Sequence, residues 1–318
     1  MILPILVAHA DWSVDRRKRW LALAELQPRG DYAAALPQPA GAADTLLYRL
    51  RALAAPGSII LAGFDFPIGL PAAYARRAGI EAFLPCLEQF GHGEWADFYR
   101  VAEKPEQISL HRPFYPQRPG GTSIHHLLEG LGLASRHELY RVCERAHLDR
   151  GAAAPLFWTL GAQQVGKAAI TGWRDMLAPA LRDPELRLAI WPFAGELDEV
   201  LTPGALVVAE TYPAEAAHFL GLAGRGSKRE QAVRRQHAER LLSLAWELRV
   251  VLDPDLDEAI RDGFGADRMA EDRYDSLVGL LGMLAVLRER QPAGAPPPAV
   301  APVEGWILGM AGKASPAR

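Results

Sequence analysis

Three apolar runs, far apart in the chain, each deliver a carboxylic acid at their end: ILVAHADWSVD (5–15) presents Asp11, SIILAGFDFP (58–67) presents Asp65, and ALVVAETYP (205–213) presents Glu210. Short continuous apolar stretches bounded by turn signals read as buried strands. A fourth stretch, EDRYDSLVGLLGMLAVL, has a helical pattern and carries Asp272 and Asp275 three residues apart. That spacing puts both acids on one side of its first turn. Acids at the ends of buried strands and at the start of a buried helix are expected to converge.

Convergence has an electrostatic consequence. Carboxylates within about 5 Å of one another repel by roughly 3 kcal/mol per pair at an effective dielectric near 20, so the cluster requires a cation. Hard oxygen donors favour Mg²⁺ or Mn²⁺ over zinc, and Mg²⁺ typically completes its shell with water and substrate phosphate. The expected site therefore uses Asp11, Asp65, Glu210 and Asp275 as catalytic metal ligands, with Asp272 as a further ligand. The plain alternative, in which each acid caps an element at the surface, is weakened by the recurrence at three strand ends.

Composition narrows the class without choosing the chemistry. A chain of 318 residues, 49% hydrophobic and 23% charged, reads as a soluble globular protein with ample core. A net charge of -3 offers no general attraction to nucleic acid. Cys86 and Cys143 cannot make a disulfide framework, which fits a reducing cytoplasm. The N-terminal run lacks a positive leader, contains Pro4 and meets Asp11 too soon to span a bilayer, so no membrane or export segment is expected.

In chain order, residues 2–10, 19–26 and the YAAAL segment read as three strands of an antiparallel meander. Residues 44–55 read as a helix and 58–64 as a fourth strand, parallel to the first by the right-handed crossover preference. Residues 71–202 read as an inserted cap with helices at 82–89, 135–148 and 161–178 and a strand at 185–193. The core resumes with the strand 205–210. Ser227 and Glu230 read as a capping box for a helix running to about 249. Asp253 and Pro254 open another helix, and a last long helix covers about 267–289, where Gly279 and Gly282 permit close packing. The expected divisions are 1–70, 71–202, 203–290 and a Pro-rich linker and tail, 291–318, in which EGWILGM docks as a final strand.

This order of acidic strands, meander and acid-paired helix resembles the ribonuclease H-like fold. The stretches HADWS, FDFPIGLP, FWTLGAQQVGKAAITGW, WPF, ETYP, DRYDSLVGLLGMLAV and EGWI resemble the domain of unknown function 429 family, regarded as predicted nucleases of that fold. The resemblance covers nearly the whole chain. It implies an α/β architecture: a mixed sheet of antiparallel meander plus parallel strands in the order 3-2-1-4-5, flanked by helices, with a large mainly helical insertion. On the same resemblance, Asp11, Asp65, Glu210, Asp275 and Asp272 correspond to the metal site. Ser276 departs from the alanine more usual after the acid.

Other patterns read as decoys. GAQQVGK (161–167) matches a phosphate loop until Ala168 replaces the Ser or Thr that would hold Mg²⁺. Lys167 is kept as a candidate for substrate phosphate. Asp253, Asp255 and Asp257 mimic a calcium loop but lack its glycine and closing glutamate, and no zinc spacing is present. Arg225, Lys228, Arg229, Arg234, Arg235 and Arg240 read either as a solvated face or as a strip for nucleic-acid phosphates. Trp158, Trp173, Trp191, Phe157 and Tyr115 read as subdomain core more readily than as a stacking surface. The expectation is a metal-dependent nuclease or phosphodiesterase acting on DNA or RNA, with Lys167, Lys228, Arg229, Arg234 and Arg235 as substrate contacts and no obligate protein partner. A non-catalytic nucleic-acid or protein-binding module on the same scaffold is the alternative; a phosphotransferase relative is disfavoured, because no second copy of the meander exists.

Overall fold

The run that ends in Asp11 forms strand β1 (Leu6–Asp11), buried at every residue. In a computed structural model, which describes residues 1–146, 151–161, 165–224 and 226–311, β1 pairs antiparallel with β2 (Trp20–Leu26) and parallel with β5 (Ile60–Phe64). β2 carries β3 (Tyr32–Ala34) and the two-residue β4 (Gln38–Pro39). β5 pairs with β7 (Leu206–Glu210), β7 with β6 (Leu188–Ile190), and β3 with β8 (Val250–Leu252). The result is an α/β chain with a mixed sheet of order β6-β7-β5-β1-β2-β3-β8, flanked by helices. Among the described residues, no helix is long and apolar enough to cross a membrane.

The chain separates into two compact units. The first contains Met1–Asp65, Glu185–Gly294 and Ile307–Ala311, and therefore the whole sheet. Its central helix, Ala270–Leu287, is buried at every position from Tyr274 onward, as a helix that is apolar all round must be. It packs on β1 and β2. Gly279 makes the approach possible: a Cβ there would lie 2.1 Å from the His9 ring, while at Gly282 it would lie 2.8 Å from Ala216 Cβ on the helix Pro213–Phe219.

The second unit contains Phe66–Pro184 and Ala295–Trp306. Phe90 and Phe98 stack with ring centroids 3.6 Å apart, Trp95, Phe114 and Trp173 pack against Phe98, and Phe157 meets Phe114 edge-on. Trp173 Nε1 donates to the Pro67 carbonyl at 2.7 Å. Phe157 and Trp173 are thus core. Trp191 is buried in the first unit instead.

Several local expectations need correcting. The segment 185–193 is no part of a cap, because β6 extends the main sheet beside β7. The expected helix 135–148 is two short 3₁₀ turns, Arg136–Leu139 and Val142–Glu144, in the part described. Carboxylates take the backbone donors a helix would have used: Arg141 N–H bonds Glu144 at 2.9 Å and Val142 N–H bonds Glu304 at 2.6 Å. The helix expected at 161–178 is regular over Val165–Gly172 and then widens into a π turn, Trp173–Leu177, before Ala178–Leu181; Pro179 has no N–H to close an ordinary turn there. Residues 162–164 of the phosphate-loop lookalike lie outside the described residues. Ser227 and Glu230 form a turn rather than a capping box, and two helices follow, Gln231–Gln236 and Ala238–Glu247. EGWILGM is not a strand; Ile307 alone bridges to Glu210.

Candidate metal centre

Sheet register brings the first two acids together. Ala10 is level with Phe64, and the Asp65 N–H donates to the Ala10 carbonyl at 3.2 Å, so Asp65 follows Phe64 as Asp11 follows Ala10. Alternation of side chains puts Asp11 on the same face as His9, and His9 faces the long helix, its Nδ1–H donating to the Ser276 carbonyl at 3.0 Å. Burial holds the His9 imidazole neutral by lowering its pKa to about 3. The backbone at Ser276 is thereby tied to β1 two residues before Asp11, with Asp275 adjoining. Asp11 and Asp275 are 9% and 8% exposed.

Glu210 stands apart from this arrangement. It is level with Phe64, not Asp65, and by the pleat its side chain leaves the opposite face. Phe64 on that face meets Trp12 edge-on at 5.6 Å. The Glu210 charge raises Asp65, as the smallest of the influences named there. The residue level with Asp65 is Thr211, whose N–H bonds the Phe64 carbonyl at 2.9 Å and whose buried hydroxyl has no hydrogen-bond partner among the described residues. One buried carboxylate oxygen of Asp272 likewise has no partner among them.

The electrostatics show a shared charge problem. Burial raises the Asp11 pKa well above its ordinary value, and the charges of Asp275, Asp65 and Asp272 raise it further against a partial offset from Lys228. Asp65 is pushed up to about 7 by burial and then by Asp275, with Lys228 opposing. Asp272 is raised to about 6, chiefly by burial, with Lys18 opposing. Even Asp275, which accepts a hydrogen bond from the Lys228 ammonium, stays raised because burial outweighs that partner. Burial by itself would lower Lys228, yet Asp275, Asp65 and Glu271 together hold its pKa above normal.

The basic strip divides by role. Lys228 lies on Asp275 and 4.0 Å from Glu271, and Arg229 is 3.6 Å from Glu271. Arg234, 1% exposed, offers no face to a substrate: it donates to the carbonyls of Gly263 at 2.8 Å, Gly265 at 2.7 Å, Arg229 at 2.9 Å and Lys228 at 2.5 Å. Its expected role as a phosphate contact is replaced by a structural one. Arg235 is paired with Asp262, and Arg240 with Glu247. Arg225 lies outside the described residues, and Lys167 sits on the helix Val165–Gly172 of the second unit. A cleft of about 280 Å³ in that unit, lined by Arg76, Arg77, Leu133 and Glu138 among others, contains none of the expected residues.

Comparison with protein-family models, curated proteins and solved structures finds no match. The chemistry of this site must therefore be read from its own groups.

Among the described residues, no three acidic, histidine or cysteine side chains form a ready coordination set. Asp275 is instead turned onto Lys228. The donor types nonetheless suit a hard divalent ion: mutually repelling buried carboxylates, with one oxygen of Asp272 and the hydroxyl of Thr211 unpartnered. Of the groups missed in the sequence, Glu271 was detectable, since it precedes Asp275 by four residues on one helix face. His9 shares the Asp11 strand face by its spacing of two. Thr211 gave no signal, because only the β5–β7 register distinguishes it from Glu210.

Proposed function

We propose that this chain is a divalent-cation-dependent nuclease or phosphodiesterase of ribonuclease H-like build, related to the domain of unknown function 429 family. The observation carrying this reading is the pairing of Asp11 and Asp65 at the ends of two parallel strands, facing Asp275, with all three carboxyls raised by burial and Asp275 charge acting on both strand acids. The run β3-β2-β1-β5-β7 within the sheet supports the fold assignment. Asp11, Asp65 and Asp275 would hold Mg²⁺ or Mn²⁺, Asp272 would flank them, and Glu210 would act through Asp65. The ion would supply an activated water and neutralise charge on phosphate oxygens. The chain's own residues do the rest: the three acids orient, burial thins out competing water, and Lys228 and Arg229 are the cations beside them available to a nucleic-acid phosphate.

The test is cleavage of labelled DNA, RNA and branched substrates with Mg²⁺ or Mn²⁺. Wild type cleaves and Asp11→Asn loses at least about a hundredfold, the scale of lost electrostatic stabilisation. Equal rates exclude this site. The ammonium already resting on Asp275 favours one competing reading, a binding module without turnover; that protein would retain nucleic acid and cleave none under any cation.

A further inference from the structure

Lys228 brings its Nζ onto an Asp275 oxygen while Glu271 lies 4.0 Å away, and its charge is felt by Asp11, Asp65 and Asp272. This ammonium relieves the charge of the acid cluster at Asp275, while Arg229 lies beside Glu271 and Lys18 acts on Asp272. Its backbone is anchored: the buried Arg234 guanidinium binds the Lys228 carbonyl and those of Arg229, Gly263 and Gly265. A cation that spans four carbonyls of two chain segments is a fixture, so the root of the Lys228 side chain is held by buried hydrogen bonds while its tip is held by the ion pair with Asp275. The side chain is 40% exposed, leaving a route to solvent. Lysine is suited to leaving, being a compact, strongly hydrated charge on a flexible stem, whereas an Arg–carboxylate fork would be harder to break.

From this geometry we infer that Lys228 is the resident counter-ion of the acid cluster and exchanges for a divalent cation, making it the residue that sets the site's cation preference. The inference rests on the proposed metal site. A single ammonium balances one carboxylate, so a monovalent ion gains nothing by replacing it; a divalent ion adds net positive charge where Asp275 and Glu271 share one ammonium. Lys228, once released, remains tethered beside the site with a free ammonium for a substrate phosphate. Arg234 acts as a positioning residue, setting where that ammonium can reach.

Two measurements on the full chain test this. Mn²⁺ binding is followed by calorimetry in wild type and Lys228→Met, and labelling of Lys228 by an amine-reactive ester is followed by mass spectrometry with and without Mn²⁺. The expected results are Mn²⁺ affinity on the order of tenfold tighter in Lys228→Met, from removal of one nearby positive charge, and several-fold faster Lys228 labelling in wild type once Mn²⁺ saturates. Labelling unaffected by bound Mn²⁺, or equal affinities in the two proteins, overturns the exchange and leaves the metal site standing. Absence of Mn²⁺ binding in both proteins overturns the metal site and the exchange with it.

Discussion

Asp65 and Arg234 illustrate opposite fates of buried charge. Asp65, with a pKa near 7 in the folded chain against about 4 unfolded, is a carboxylate whose ionised form opposes folding. The cost is absent below about pH 4 and complete above about pH 7. In chelator at pH 8, Asp65→Asn is therefore expected to be more stable than wild type by about 1–2 kcal/mol, a value discounted for the partial exposure of the group, and the two should converge at pH 4. Thermal melts across pH check this; a less stable variant at pH 8 would contradict it. Arg234 is the satisfied case, its guanidinium meeting four carbonyls. Arg234→Lys keeps the charge but not the fork, and should lose about 3 kcal/mol in urea unfolding because buried carbonyls go unpaired. The basic character of Arg234 was plain in the sequence. Its burial was not, since the four acceptors come from two separate segments.

Among elements, the helix Ala270–Leu287 matters most to the site, and its position depends on a glycine. A methyl group at Gly279 would enter the His9 ring, so Gly279→Ala is expected to cost about 1–3 kcal/mol by overpacking. Any relief by moving the helix also shifts Asp275 from β1. Mn²⁺ affinity should thus fall in Gly279→Ala more than in Gly282→Ala, whose nearest obstacle is Ala216; calorimetry on the two variants decides. The apolar pattern of this helix, its acid pair and its two glycines were all legible beforehand. The partner of each glycine was not, because helical periodicity names a face and not what will cover it.

For the whole molecule, pH and divalent ion act together. The raised acids make the metal-free protein lose stability as pH rises from about 4 to 7, while His9, held neutral with a pKa near 3, loses its contribution as pH falls from about 6.5 toward 3. On the proposed metal site, Mn²⁺ would bind the ionised acids, so its stabilisation should grow from pH 5 to pH 8. Melting temperatures with Mn²⁺ and with chelator at those two pH values test this, and an increment that shrinks with pH would refute it. Binding to labelled nucleic acid should weaken with salt, and Arg229→Ala should flatten that slope by about one contact.

Apolar periodicity and residue type are local properties, and they sufficed to locate β1, β2, β5, β7 and the buried helix and to single out Asp11, Asp65, Asp272 and Asp275 as candidates. Strand pairing, register and the reach of a long side chain are settled between residues hundreds of positions apart. That is why folding alone decided that β6 joins the sheet, that Thr211 rather than Glu210 is level with Asp65, and that the ammonium of Lys228 lies on Asp275.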